Sequence, residues 1–152
     1  MKLFKTSTGP MLLCRFAVGF IFLSEGLQKY ITPGITGTGR FAKIGFSNPS
    51  FWAYFTGSFE IICGVLILIG LLTRLAAVPL LIIMVVAFIT TKIPTLMDKG
   101  FWAFAHEYRT DFAMTLLLIY LLIYGGGNNS IDEKLIYSKR IQNGKQNQSS
   151  NR

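Results

Sequence analysis

Seven ionisable side chains carry the chemistry this sequence could perform. Glu25, Lys29, Glu60, His106, Glu107, Arg109 and Asp111 each fall within or at the edge of a long apolar run. A charged group near the centre of a membrane helix costs about 2.5–3.5 kcal/mol on insertion scales, so such groups face a partner or a wet cavity. Carboxylates in a poorly hydrated pocket could relay a proton or bind a polar head such as a quinone carbonyl. The competing reading is packing alone. Glu25 and Lys29 would then form an i,i+4 pair along one helix, while Glu60 and Asp111 would bind neighbouring basic or hydroxyl groups. His106 is the single histidine. Alone it cannot supply the two axial ligands of a membrane haem, and no companion set for a metal accompanies it, so an interfacial polar role is expected. No nucleophile–His–acid triad, phosphate-binding loop or zinc-protease motif appears. With no flavin, haem or iron–sulfur motif either, any electron transfer needs a bound quinone or a partner.

The elements that must position these groups are membrane helices. The chain has 152 residues, of which 51% are hydrophobic and 14% charged. Apolar runs recur at about 10–31, 51–72, 75–91 and 105–124, close to the ~20 residues that cross a bilayer core. The alternating strands of a closed barrel are absent. The expected fold is all-α, a polytopic four-helix membrane bundle. Residues 1–9 precede it, and 126–152 form a tail with an amphipathic piece at Ile131 to Ile141 and a disordered end. Pro10 fits a first helical turn. Pro33, Gly34, Gly37 and Gly39 break the first helix, and Asn48-Pro49-Ser50 opens the second. Thr73-Arg74 makes a very short connection, which predicts an antiparallel hairpin. Lys92 and Pro94 end the third helix, leaving an aromatic loop from Thr95 to Ala105. The fourth must draw in His106, Glu107, Arg109 and Asp111 to span.

The net charge is +8, but the basic residues lie largely in termini and loops. That suits anionic lipid and orientation rather than nucleic acid. Lys2, Lys5, Arg74, Lys134, Lys139, Arg140, Lys145 and Arg152 share one side, against Arg40, Lys43, Lys92, Lys99 and Arg109. Eight against five places both termini in the cytoplasm, in an inner or plasma membrane. Cys14 and Cys63 form no CxxC and read as small buried hydrophobes. Counted along the helices, Glu25 and Glu60 lie roughly 9 and 13 Å from the outer ends of their helices, level with the charged turns of the fourth. At about 100° per residue, Arg15, Gly19, Phe22, Gly26 and Lys29 share one face, and Ala53, Gly57, Glu60, Gly64 and Ile67 share another. Both are small-residue surfaces of the kind that let membrane helices approach. Arg15 stands apart, near the inner end, where snorkelling to lipid phosphate is the expected role.

Three blocks of residues resemble a known family. Leu13-Cys14-Arg15 with Gly19, Phe22, Gly26 and Lys29 is similar to the first helix of the DoxX family. Phe59-Glu60 to Gly64, Gly70-Leu71-Leu72-Thr73-Arg74 and Ala76-Ala77 resemble its second block. Gly125, Gly127, Ser130 and Asp132 resemble its closing pattern. Glu25 departs from the family pattern, so no family role is carried onto it. The resemblance implies a four-helix integral membrane protein and a quinone-linked redox subunit. It marks Arg15, Arg74, Gly125, Gly127, Ser130 and Asp132 as residues of the fold. Arg74 would cap the tight turn, and Ser130 with Asp132 would fold the exit of the last helix. The leading expectation is a redox-associated subunit binding a quinone-like lipid beside Glu25, Glu60 and Asp111, with Lys29 and Arg109 balancing charge. A non-catalytic assembly or scaffold subunit beside another membrane protein is the alternative, and a small transporter the third.

Overall fold

The computed structural model describes residues 8–127 and 130–133. Among them the chain forms helices and no strand. Its elements are α1 (Thr8–Ile31), α2 (Thr38–Ile44), α3 (Pro49–Ile69), α4 (Thr73–Ala87), a π-helical turn (Phe88–Lys92), α5 (Ile93–Lys99) and α6 (Phe101–Tyr124). Gly9–Ile31, Pro49–Ile69 and the continuous rod Thr73–Lys99 are each long and apolar enough to cross a membrane. Helix α6 has 24 residues, about 36 Å of rise, more than a bilayer core of about 30 Å. Together they make a four-helix bundle. Its outer surface is apolar, with Leu13 71% and Phe20 68% exposed, as lipid rather than water requires.

The bundle closes through glycine. Gly19 and Gly26 of α1 lie against the Gly64 and Gly57 carbonyls of α3, and a Cβ on either would fall 2.8 Å from its facing oxygen. Every residue of the two expected small-residue faces is buried. Val18, Ile67, Leu80, Leu118 and Leu121 fill the centre. The two ends of the bundle differ. One, the terminal end, holds the start of α1, the α3–α4 turn and the exit of α6. The other, the loop end, holds α2, the π turn, α5 and the charged start of α6.

Helix boundaries differ from the expected runs where local chemistry intervenes. Helix α3 stops at Ile69 because Gly70 takes a left-handed φ of 72°. The Gly70 and Leu71 amides return to the Ile67 and Leu66 carbonyls, a Schellman close. The first loop contains α2, which ends on Gly45 at φ 89°. The segment Thr95 to Ala105, expected as a loop, is helical apart from the break at Gly100. Pro94 does not end the helix; it sits in the first turn of α5, directly after the π turn and within one continuous rod. The π turn absorbs the change, its Ile93 amide bonding the Phe88 carbonyl five residues back. Phe88 in turn packs on Tyr108 with ring centroids 5.0 Å apart. Beyond Glu133, the expected amphipathic piece and tail lie outside the described residues.

Candidate functional site

At the loop end the helices enclose a cavity of about 490 Å³, within the roughly 300–1,000 Å³ of small-molecule sites. Six charged residues line it: Glu25, Lys29, Arg40, Glu60, Lys92 and Asp111. The rest is mostly apolar, with Phe41, Phe46, Trp52 and Phe55 presenting rings and Thr56, Thr90, Thr91 and Thr110 presenting hydroxyls. Phe55 of α3 and Ile82 and Val86 of α4 line the cavity and are also exposed.

Two ion pairs stand on this cavity, the first buried and the second with its carboxylate one-third exposed, each from a different pair of elements. Lys29 of α1 meets Glu60 of α3 at 2.5 Å, with side chains 9% and 5% exposed. The close α1–α3 approach makes this contact, since a Cβ on Gly57 would lie 3.3 Å from the Lys29 Cβ. The Lys29 ammonium also lies 3.5 Å from the Glu25 backbone carbonyl. The expected i,i+4 pair between Glu25 and Lys29 side chains is thus replaced by a pair across helices, and the Glu25 carboxyl is left on the cavity wall. The second pair joins Lys92 of the π turn to Asp111 of α6 at 3.0 Å, and Lys92 also donates to the Glu107 carbonyl at 3.0 Å. The π turn adds a residue to one helical turn and brings Lys92 onto α6. The Thr90, Thr91 and Thr95 hydroxyls donate to carbonyls four residues back along this stretch.

The other expected members of the cluster stand elsewhere. Arg109 was expected to balance charge; it is exposed and off the cavity wall, and Lys92 takes the part. His106 is exposed and also off the wall. The Glu107 side chain turns outward to Lys99 at 3.5 Å and to the Thr95 hydroxyl at 3.3 Å. Sequence reasoning missed Lys92 and Arg40 as wall residues, treating one as a helix stop and the other as a loop charge.

The terminal end is built differently. The Arg15 guanidinium is buried, and it does not snorkel. It donates to the Ile67 carbonyl at 3.0 Å, the Leu68 carbonyl at 2.7 Å and the Gly126 carbonyl at 3.2 Å. It thereby ties the last turn of α3, whose carbonyls run short of helical partners, to the exit of α6 at Gly126. Asp132 accepts from the Leu72 and Thr73 amides at 2.8 and 3.2 Å and caps α4 from the far end of the chain. Leu72, a non-glycine residue at φ 49°, is held there by that bond. Ser130 donates to the Gly127 carbonyl at 2.6 Å. Gly127 has φ 75°, and a Cβ there would meet Met11; one on Gly125 would meet Arg74. All the closing-pattern residues serve this knot. Cys14 and Cys63 are free, the first half-buried and the second buried.

Known proteins bear on both ends. The DoxX family model matches residues 10–93, more than half of the chain. A protein of Mycobacterium tuberculosis, named as an uncharacterized membrane protein, is 49% identical over 138 residues, covering 86% of this chain and 83% of its own. A Bacillus subtilis protein, named "Putative oxidoreductase CatD", is 32% identical over 133 residues, covering 87% of this chain and 91% of its own. No solved structure matches. Apolar spanning helices, the glycine-packed α1–α3 pair and these matches lead to one statement: the chain is an integral membrane protein and belongs to the DoxX family.

Proposed function

We propose that this DoxX protein is a redox-associated membrane subunit that binds a quinone-like lipid in the loop-end cavity. The observation that carries the reading is an apolar, ring-lined cavity whose wall carries two ion pairs, that of Lys29 with Glu60 buried. The bundle desolvates the Lys29–Glu60 pair and the Lys92 ammonium, and such groups can orient an otherwise apolar ligand. The residues fit such a guest: aromatic faces suit a flat ring, and ammonium and carboxylate groups suit its oxygens. A bound quinone would supply the electron-carrying chemistry, with a second membrane or redox subunit as exchange partner. The name of the B. subtilis relative supports a redox setting. The count of basic residues supports a cell membrane with both termini on the cytoplasmic side. Gly57 faces Lys29 and Tyr30 of this chain, so its small-residue surface is covered within the bundle and is not offered to a scaffold partner.

The test uses the full chain purified in mild detergent. Solvent extraction should release a co-purifying quinone, and an added short-tail quinone should quench tryptophan fluorescence through Trp52. Absence of both would remove the reading. An unchanged redox state of the quinone pool after gene deletion would remove its redox part.

A further inference from the structure

The two ion pairs of the cavity repeat one bonding pattern. Each ammonium has three N–H donors. Lys29 faces one backbone carbonyl, that of Glu25, and one carboxylate oxygen, that of Glu60. Lys92 likewise faces the Glu107 carbonyl and one oxygen of Asp111. Each lysine keeps one donor uncommitted. Glu60 uses Oε2 and Asp111 uses Oδ2, so each carboxylate keeps its second oxygen. The same cavity is therefore lined by two donor-and-acceptor stations, one on α1 and α3, the other on the π turn and α6.

We infer that the cavity is a two-point clamp for a ring bearing two oxygens, and that it holds both the dicarbonyl and the dihydroxy form. A carbonyl can only accept, and the spare lysine N–H answers it. A hydroxyl can also donate, and the spare carboxylate oxygen answers it. Because both kinds of group stand at both stations, the change from one form to the other leaves no buried oxygen unanswered. A site built for one form would have donors alone or acceptors alone. The inference rests on the quinone reading and assigns Lys92 and Asp111 as the second anchor, with Arg40 and Glu25 outside the clamp.

Binding to wild-type protein in detergent tests it without relying on any variant. The probes are a short-tail benzoquinone, its quinol, and a ring of the same size and tail with one oxygen removed, measured by equilibrium dialysis. The clamp predicts that quinone and quinol bind alike to within about threefold, and that the one-oxygen ring binds at least about tenfold more weakly, the loss of one bond to a charged group. Lys92→Met should bring quinone down to the one-oxygen level and should leave one-oxygen binding unchanged, a selectivity that a merely unfolded variant would not show. Equal binding of the one-oxygen ring, or binding of the quinone alone, overturns the clamp while leaving the quinone site standing. If no probe binds, the quinone reading itself fails and the clamp with it.

Discussion

Arg15 and Lys29 lie on one face of α1, and both are buried, yet the two ends of the helix employ their cation differently. Arg15 gives all three of its bonds to backbone carbonyls. Lys29 gives its shortest bond to a side chain, Glu60, on the wall of a cavity. Backbone acceptors cannot be changed by substitution, so the terminal end is committed to holding α3, α4 and the exit of α6 together. A side-chain pair can be exchanged as a unit, so the loop end can hold charge for a purpose other than the fold. The same contrast separates Asp132, which caps an amide pair, from Asp111, which stands on the cavity with one oxygen free.

The largest effect should therefore come from Arg15. Arg15→Leu takes the side-chain donor from the Leu68 and Gly126 carbonyls and leaves the Ile67 carbonyl only its bond from the Gly70 amide, at about 1–3 kcal/mol for each buried group left without a partner. No second substitution can repair it, and thermal unfolding in detergent should show the greatest loss of any variant here. Near-wild-type melting would break the comparison. Glu60→Met comes next, because it leaves Lys29 buried and unpaired, at about 3–5 kcal/mol. The sharper experiment adds Lys29→Met. A well-packed apolar pair often matches or exceeds a buried ion pair in stability. The double variant should thus melt close to wild type while its quinone binding falls to the one-oxygen level. A double variant as unstable as Glu60→Met would make this pair another piece of scaffold.

How far the sequence showed these ends follows from what each is made of. The four-helix class and the two glycine faces were legible because period and apolar length are local signals. Glu60 was legible too, as a lone charge on a small-residue face. The partner of Lys29 was not, because an i,i+4 carboxylate one turn away is the nearer candidate along the chain, and only the closeness of α1 and α3 makes Glu60 nearer in space. Lys92 was hidden by Pro94, since a proline after a polar pair reads as a helix end. A π turn followed by proline at the start of a new helix has no distinct periodicity. The burial of Arg15 was invisible for a further reason: its acceptors are carbonyls, which every sequence has, and their exposure at the end of α3 is a property of the fold.

Asp132 offers a smaller effect at the terminal end. Asp132→Ala removes the acceptor for the Leu72 and Thr73 amides and leaves Leu72 in a left-handed conformation without its bond. Loss of a helix cap costs about 0.5–2 kcal/mol, so the protein should still fold and still bind quinone. Hydrogen exchange should speed up at the amides of Leu72 and Thr73 and stay unchanged in the π turn. Faster exchange in the π turn would mean that the two ends are coupled, and the comparison between a fixed end and an adjustable one would weaken.

The smallest effect belongs to Lys99 and Glu107, whose side chains are 63% and 42% exposed. Such exposed pairs contribute about 0–1 kcal/mol. The Glu107 side chain is off the cavity wall, and only its backbone carbonyl serves Lys92. Glu107→Gln should therefore leave both melting and quinone binding near wild type, with any loss of stability disappearing at high salt. This variant sharpens the comparison from within one helix. Glu107 and Asp111 are one turn apart on α6, so a strong binding loss in Glu107→Gln would show that charge anywhere near the loop end matters. A strong loss in Asp111→Asn with none in Glu107→Gln would show instead that the position on the wall decides.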